Sequence, residues 1–196
     1  MKRITAYVLA LVLACSCAVS MAGAYTDVPG GSALAGEVEK AVSYGLMNGY
    51  SQDRFGYSDA MTRAQFVVVL TRMMGWQTPS DEETAASITA AMALPKNLSS
   101  QYRSAIACAA AHDVIGQSEA FRPNSPATRA EMAEMLVRAL GLKSCAADAE
   151  KENSLPFTDV SDKKGYIAVA YEIGMTKGLT DTTFAPDRTA TRAQAA

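Results

Sequence analysis

The amino-acid sequence predicts an all-α fold built from three tandem helix–loop–helix repeats. The first observation is a tetrapeptide, Thr-Arg-Ala followed by Gln or Glu, which begins at Thr62, Thr128 and Thr191 with nearly even spacing. The second is a run of apolar residues with helical spacing after the first two copies. Recurrence at a near-constant period indicates a repeated supersecondary unit, and the apolar period indicates that its elements are helices.

Each tetrapeptide has the form of a helix N-terminus. The Thr side chain can accept a hydrogen bond from the backbone N–H three residues on, and the Gln or Glu side chain can return to the Thr N–H. We therefore interpret Gln65, Glu131 and Gln194 mainly as capping residues. Capping stabilises a helix start by only about 1 kcal/mol, so it leaves the shared Arg unexplained.

The Arg of each tetrapeptide is a candidate anion-binding residue. It directly follows the cap, so we expect its guanidinium at an exposed helix start, beside backbone donors and the positive end of the helix dipole. These residues are Arg63, Arg129 and Arg192. The alternative is an ordinary ion pair with a neighbouring carboxylate.

The second helix of each repeat follows the tetrapeptide. In the first two repeats, apolar residues recur at the i, i+3, i+4, i+7, i+8 positions of one helix face. They are Phe66, Val69, Leu70, Met73 and Met74, then Met132, Met135, Leu136, Ala139 and Leu140. Gly75-Trp76 and Gly141-Leu142 then predict Schellman endings.

The first helices precede glycine-rich loops. Asp27 precedes the first helix of repeat one, and Asp159 precedes the first helix of repeat three. Both are interpreted as hydrogen-bond acceptors of a turn or a helix start rather than as ligand-binding residues. His112 occupies the place where the other repeats have Gly45 and Gly174, so the helix ending in the second repeat is left open. The predicted first helices run from about residue 34 to 44, 100 to 111 and 166 to 173.

Residues 25–196 are divided into three repeats and two connectors. Ser80 and Glu83 predict a short linking helix in the first connector, whereas the second is interpreted as a solvated connector. The third repeat is incomplete, because its tetrapeptide lies close to Ala196; we expect a piece of a longer chain, the alternatives being a frayed helix or one completed by a partner. The repeats are residues 25–76, 94–142 and 156–196, and the connectors are 77–93 and 143–155.

Residues 1–24 are predicted to be a secretory signal peptide. Lys2 and Arg3 form a charged start, the apolar run Ile4 to Val19 carries no charge, and Ala22-Gly23-Ala24 is a small-residue cleavage site. The alternative is a retained membrane anchor. The remaining chain is acidic, so we expect no nucleic-acid partner and no membrane partner after signal cleavage.

Two cysteines remain beyond the signal peptide. Cys108 and Cys145 could pair in an oxidising compartment, and separate buried thiols are the alternative. With a single His beside these two cysteines, the sequence offers no metal-ligand constellation. We expect no metal and no cofactor.

The repeated motifs resemble the S-layer homology (SLH) domain. The third repeat carries the aromatic-x-Asp opening, the glycine-bounded helix ending, the Asp-x-x-Phe-x-Pro loop and the tetrapeptide. These are Phe157-Thr158-Asp159-Val160, Gly174-Met175-Thr176-Lys177-Gly178, Asp181-Thr182-Thr183-Phe184-Ala185-Pro186 and Thr191-Arg192-Ala193-Gln194. The second repeat supplies Phe121-Arg122-Pro123 and Thr128-Arg129-Ala130-Glu131, and the first supplies Thr26-Asp27-Val28, Asp53-Arg54-Phe55 and Thr62-Arg63-Ala64-Gln65.

The resemblance implies a pseudo-trimeric helical bundle with three prongs. It also implies a module, secreted to the cell wall or S-layer of a bacterium, that anchors proteins non-covalently. The implied partner is an anionic secondary cell-wall polysaccharide, pyruvylated in many relatives, or peptidoglycan. S-layer subunits and a fused C-terminal cargo domain are further expected partners.

The resemblance also assigns binding residues to the grooves between repeats. Arg63, Arg129 and Arg192 match the Arg that members of the family use for the ligand. A planar guanidinium suits the carboxylate of a pyruvate ketal. Loop glycines would let backbone N–H groups approach the sugar, although a helix cap or tight turn is the stronger interpretation. They are Gly49, Gly116 and Gly178.

Two other classes of function compete with anchoring. An assembly module would pack its repeats against sister subunits and pair its arginines internally, without binding glycan. An enzyme would need catalytic residues, but the sequence has no Gly-x-Ser-x-Gly elbow and no recognisable carboxylate pair. We therefore expect no catalytic residues and no enzymatic activity from these repeats.

Overall fold

The computed structural model describes residues 25–77, 92–116, 121–152 and 155–196. Within these ranges the chain forms seven helices and no strand, so the all-α prediction is confirmed. The described residues fall into two compact units that divide between Tyr57 and Ser58. The first contains α1 (Ala35–Ser43); the second contains α2 (Arg63–Met73), α3 (Ser100–Ala111), α4 (Arg129–Ala139), α5 (Lys143–Glu152), α6 (Lys164–Glu172) and α7 (Arg192–Ala195).

In the first unit, Asp27 organises the loop that follows α1. Its carboxylate accepts hydrogen bonds from the backbone N–H groups of Phe55 and Gly56, each at 2.7 Å, and of Tyr57 at 2.9 Å. Burial opposes ionisation of Asp27, but these donors outweigh it and hold its pKa below the usual value. The prediction that Asp27 is a turn acceptor is confirmed.

The second unit contains all three tetrapeptides, and each forms a complete capping box. The side chains of Thr62, Thr128 and Thr191 accept from the backbone three residues on, while Gln65, Glu131 and Gln194 accept from the Thr backbone. Two helices end as predicted in Schellman motifs: Gly75 and Gly141 have φ of 63° and 73°. The capping and ending signals were local, and the structure confirms them.

The three box starts are joined by a closed ring of backbone hydrogen bonds. Met61 N–H donates to Ala190 (2.9 Å), Ala190 N–H donates to Ala127 (3.4 Å), and Ala127 N–H donates to Met61 (2.8 Å). All three residues are buried. The ring gives these segments an approximate three-fold relation, in which each box faces the loop of the next repeat.

The connector predicted at residues 143–155 contains a helix that was not predicted from the sequence. Residues Lys143–Glu152 form α5, which packs against α6 and buries Ala146. A Cβ added to Gly165 of α6 would collide with the Ala146 carbonyl, so the close crossing requires this glycine. The Glu150 carboxylate also accepts the Gly165 N–H at 2.5 Å.

The first helix of the second repeat has the predicted bounds, but the alignment of His112 with Gly45 and Gly174 is wrong by one residue. His112 is the C-cap residue of α3, with φ of −93°. The next residue, Asp113, has a left-handed backbone with φ of 56°. Asp113 therefore corresponds to Gly45 and Gly174, whose φ values are 69° and 76°. By this register Gly116 matches Asn48 and Lys177 rather than the other loop glycines.

The cysteines do not pair in this structure. Cys108 is a free, buried thiol on α3, and Cys145 is a free, exposed thiol on α5. Burial raises the pKa of the Cys108 thiol. The predicted signal peptide, residues 1–24, and the predicted linking helix at Ser80 lie outside the described residues.

Candidate inter-repeat binding site

A groove of about 240 Å³ lies in the second unit, between the start of α2 and the exposed side of α4. We call it the Arg63 groove. Four of its side chains are cationic and two are carboxylates, and the remainder are mainly apolar. Its lining consists of Arg63, Val114, Ile115, Gly116, Phe121, Arg122, Glu131, Glu134, Met135, Arg138 and Lys163.

Arg63 is held at one end of the groove by two neighbours from the second repeat. Its guanidinium carbon lies 4.9 Å from the centre of the Phe121 ring, and its Nη1 forms an ion pair with Glu131. The Arg63 and Glu131 side chains are only 16% and 21% exposed. The pair is therefore shielded more than an ordinary surface ion pair, and it links two repeats.

Glu131 has two tasks at once. One carboxylate oxygen accepts the Thr128 N–H at 3.0 Å to complete the capping box, and the other binds Arg63. The capping prediction for Glu131 is confirmed, and Arg63 forms the ion pair that was the alternative to anion binding, although Glu131 was not predicted as the partner. The ion pair joins residues 68 positions apart in sequence, so it depends on the tertiary contacts between the first two repeats.

The groove is also lined by a charge cluster around Glu134. This carboxylate lies 2.6 Å from Lys163 Nζ and 2.9 Å from Arg138 Nη2. Burial alone would lower the pKa of Lys163, but the hydrogen bond and charge of Glu134 outweigh it and raise that pKa. Arg138 also lies 3.8 Å from Asp113 and 5.4 Å from the centre of the Tyr166 ring.

Two buried donors of this groove lack an acceptor. The Nε atoms of Arg63 and Arg138 are buried and make no hydrogen bond within the described chain. A buried donor without a partner costs about 1–3 kcal/mol, so such groups are usually satisfied by water or by a ligand oxygen. Both belong to side chains that line the same groove.

Arg129 is the counterpart of Arg63 in the next box, and its surroundings differ. Its Nε donates to the Phe184 carbonyl at 2.9 Å, its Nη2 donates to the Lys177 carbonyl at 2.5 Å, and its guanidinium carbon lies 4.4 Å from the centre of the Phe184 ring. Burial, followed by the nearby Arg188 charge, lowers the pKa of Arg129. Within the described ranges Arg129 forms no ion pair.

The helix starts themselves do not offer free backbone donors. The N–H groups of Arg63, Arg129 and Arg192 donate to the carbonyls of Ser125, Arg188 and Asp59, each at 2.9 Å. Arg192 is only 5% exposed. The backbone donor beside each guanidinium is therefore already occupied, and Arg192 is buried rather than exposed as expected.

The predicted glycines divide into two kinds. A Cβ at Gly49 would collide with the Tyr25 ring, and a Cβ at Gly178 would collide with the Phe157 ring, so both positions require glycine for close packing. Gly116 instead lines the Arg63 groove. The structure thus brings together Arg63 and Gly116 among the predicted site residues.

Sequence reasoning missed most of the charged lining of the groove. Glu134 and Arg138 stand four residues apart on one helix, a spacing that predicts a pair but not its contact with Lys163. Arg122 lies between Phe121 and Pro123 of the loop motif, where no chemical pattern marks it. The described residues hold no cluster of three or more His, Cys, Asp or Glu side chains suited to a metal ion. No helix in the described ranges is long and apolar enough to cross a membrane.

Comparison with known proteins identifies similar repeats. The model of the S-layer homology domain matches residues 24–67, 96–133 and 156–196. An endoglucanase of Bacillus sp. (strain KSM-635) is 32% identical over 161 residues, which cover 77% of this chain and 16% of that protein.

Two further relatives are named for the cell surface. The S-layer protein EA1 of Bacillus anthracis is 30% identical over 182 residues, covering 91% of this chain and 20% of that protein. A cell surface protein of Thermoanaerobacter kivui is 28% identical over 161 residues, covering 79% and 18%. The chain thus spans a fifth or less of these relatives. The matches support a cell-wall anchoring role at the cell surface.

Proposed function

Because the chain belongs to the S-layer homology domain family, we propose that it binds an anionic cell-wall glycan and performs no chemistry on it. The ligand is a secondary cell-wall polysaccharide, pyruvylated or otherwise acidic, or peptidoglycan. In this proposal residues 1–24 direct secretion, and the repeats then hold an attached cargo domain or S-layer subunit at the bacterial surface.

The charge balance of the Arg63 groove is the observation that carries the proposal. Arg63, Arg122, Arg138 and Lys163 face only two lining carboxylates. The chain as a whole has a net charge of −2, whereas the lining of this groove has more cationic than anionic side chains. A concave site of one sign concentrates ligands of the opposite sign.

The chemistry of the lining suits an acidic sugar. Arg and Lys donate charge-assisted hydrogen bonds to carboxylate oxygens, at about 1.5–3 kcal/mol each. Val114, Ile115 and Met135 provide apolar surface for a methyl group or the apolar face of a sugar ring. The two unpartnered guanidinium Nε–H groups are donors that ligand oxygens or bridging water can satisfy. Arg129 is the second candidate ligand residue, in the next inter-repeat site.

A sedimentation assay with purified bacterial cell-wall sacculi tests the proposal. The full chain should bind saturably and lose affinity as salt screens the charges. If the ligand is pyruvylated, most binding should also be lost after mild acid removes the pyruvate ketals. Arg63→Ala should weaken binding, whereas Lys96→Ala, at an exposed cation outside the groove, should not. Circular dichroism must show equal helicity in both variants. A folded chain that does not bind sacculi would contradict the proposal.

A second function, subunit assembly without glycan binding, is favoured by two observations. The box arginines Arg63 and Arg129 are bound within the protein, as such a module would require. Four exposed apolar side chains of the third repeat also offer contact surface: Tyr171, Ile173, Met175 and Leu179 are 42–50% exposed. Two measurements separate the functions. Assembly predicts concentration-dependent oligomers in sedimentation velocity, and it predicts that Arg63→Ala still associates with the wall in the sacculus assay.

A further inference from the structure

Within the Arg63 groove, the lining cations differ in how much of their charge is already compensated. Arg63 is paired with Glu131, and Arg138 and Lys163 share Glu134. Both carboxylates of the groove are thereby engaged. The fourth cation, Arg122, is exposed and lines the same groove.

The Arg122 side chain makes no hydrogen bond, ion pair or ring contact in the part of the chain that the structure describes. Its backbone is nevertheless fixed: the Arg122 carbonyl accepts the Ser125 N–H at 3.2 Å, and the flanking residues Phe121 and Pro123 are buried. Pro123 in turn accepts the Ala64 N–H at 3.0 Å. A rigid backbone therefore presents an uncompensated guanidinium at the groove.

We propose that Arg122 is the residue that binds the anionic group of the glycan in this groove. This inference rests on the proposed function and extends it by naming the specificity-determining side chain. Arg63 and Glu131 then act as positioning residues, which fix the Phe121 loop that carries Arg122. Because Arg122 is not paired with a carboxylate, an anion can bind it without displacing an internal partner. At Arg63 the same anion would have to displace Glu131.

The ligand class follows from the geometry of the donor. A guanidinium binds a carboxylate or a phosphate oxygen pair through two parallel N–H groups, which a lysine cannot reproduce. The shared chemistry is an oxyanion carried on a saccharide. A pyruvate ketal and a glycan phosphodiester are its two sources.

Matched variants of the full chain test the proposal in the sacculus assay. Arg122→Ala should lower the affinity at least tenfold, equivalent to about 1.4 kcal/mol, and should reduce the salt dependence of binding. Lys96→Ala removes the same charge from an exposed side chain outside the groove and should stay within about twofold. Arg122→Lys should recover only part of the loss, because it restores the charge without the fork.

The outcomes separate this inference from the function beneath it. If the parent chain binds sacculi, and Arg122→Ala binds no more weakly than Lys96→Ala, the role of Arg122 is wrong while the anchoring proposal stands. If the folded parent does not bind, both are wrong. With Arg122 confirmed, binding that is lost when mild acid releases pyruvate but no phosphate identifies a ketal carboxylate. Arg122-dependent binding that survives pyruvate release and is lost when hydrofluoric acid removes phosphate identifies a phosphodiester.

Discussion

Arg63 and Arg129 occupy the same position in two consecutive boxes, yet the protein uses them differently. Each stacks on the Phe of the following repeat, at 4.9 Å and 4.4 Å. Arg63 forms an ion pair with Glu131, whereas Arg129 donates hydrogen bonds to two backbone carbonyls. One site is an internal ion pair, and the other is a cation that clamps a loop.

The boxes that follow these two arginines differ at their fourth position. The fourth residue of the second box is Glu131, and that of the third box is Gln194. Both cap their own helix, because the oxygen of either side chain can accept the Thr N–H. Only the carboxylate can also neutralise the Arg of the preceding box. The lesson is that equal motifs do not imply equal sites, because Glu131 offers a charged acceptor where the third box has only a neutral Gln194.

Removal of Arg129 should have the largest effect on stability. Arg129→Met leaves the Phe184 and Lys177 carbonyls without their charged donor, and hydrogen bonds to charged groups contribute about 1.5–3 kcal/mol each. We expect the free energy of unfolding to fall by about 3 kcal/mol, measured by urea denaturation. Lys96→Met is the control, since Lys96 is exposed, and should change it by less than about 0.5 kcal/mol. Equal losses in the two variants would contradict the clamp.

A double-mutant cycle should isolate the Arg63–Glu131 pair. Glu131→Gln keeps the cap, as Gln65 shows in the first box, but removes the charge. Combined with Arg63→Met, it should reveal a coupling energy of about 1 kcal/mol, because the pair is shielded but not fully buried. Strict additivity would show that the two side chains do not interact in solution.

Acid should weaken the Arg129 site through Asp159. Hydrogen bonds from the Phe184 and Ala185 N–H groups, at 2.9 and 2.7 Å, hold the pKa of Asp159 below its usual value. Its contribution is therefore complete above the unfolded-state pKa and is lost as pH falls through the lower folded-state pKa. Asp159→Asn should unfold more easily than the parent at neutral pH, and this difference should shrink below about pH 4. A difference that stays constant across this range would exclude ionisation as its cause.

A carboxylate introduced into the third box should have the smallest effect. Gln194→Glu places in that box the residue that pairs with Arg63 in the second. We expect a gain of about 0.5 kcal/mol or less, because Arg129 already has two carbonyl acceptors. Gln65→Glu provides the comparison at the first box. A large stabilisation would show that the Arg129 charge is poorly satisfied in the parent.

The sequence alone determined the features whose causes are local. A Thr and a Gln or Glu three residues apart specify a capping box, and Gly75 and Gly141 specify helix endings, because each hydrogen bond spans a few residues. The all-α class, the first helices and the Asp27 and Asp159 acceptors followed from similar patterns. Three copies of one pattern also sufficed to recognise the family.

Tertiary structure decided which of these parts meet. Helix α5 was missed because its polar sequence carries little apolar periodicity, and its packing depends on Ala146 meeting Gly165 of another helix. The Arg63–Glu131 pair and the Arg122 side of the groove depend on the backbone ring that seats each box against the next repeat. Such contacts join residues far apart in sequence, so no local pattern encodes them. The physical reason is that helix caps and endings depend on hydrogen bonds within one or two turns. An ion pair between repeats forms only when tertiary folding brings the two side chains together.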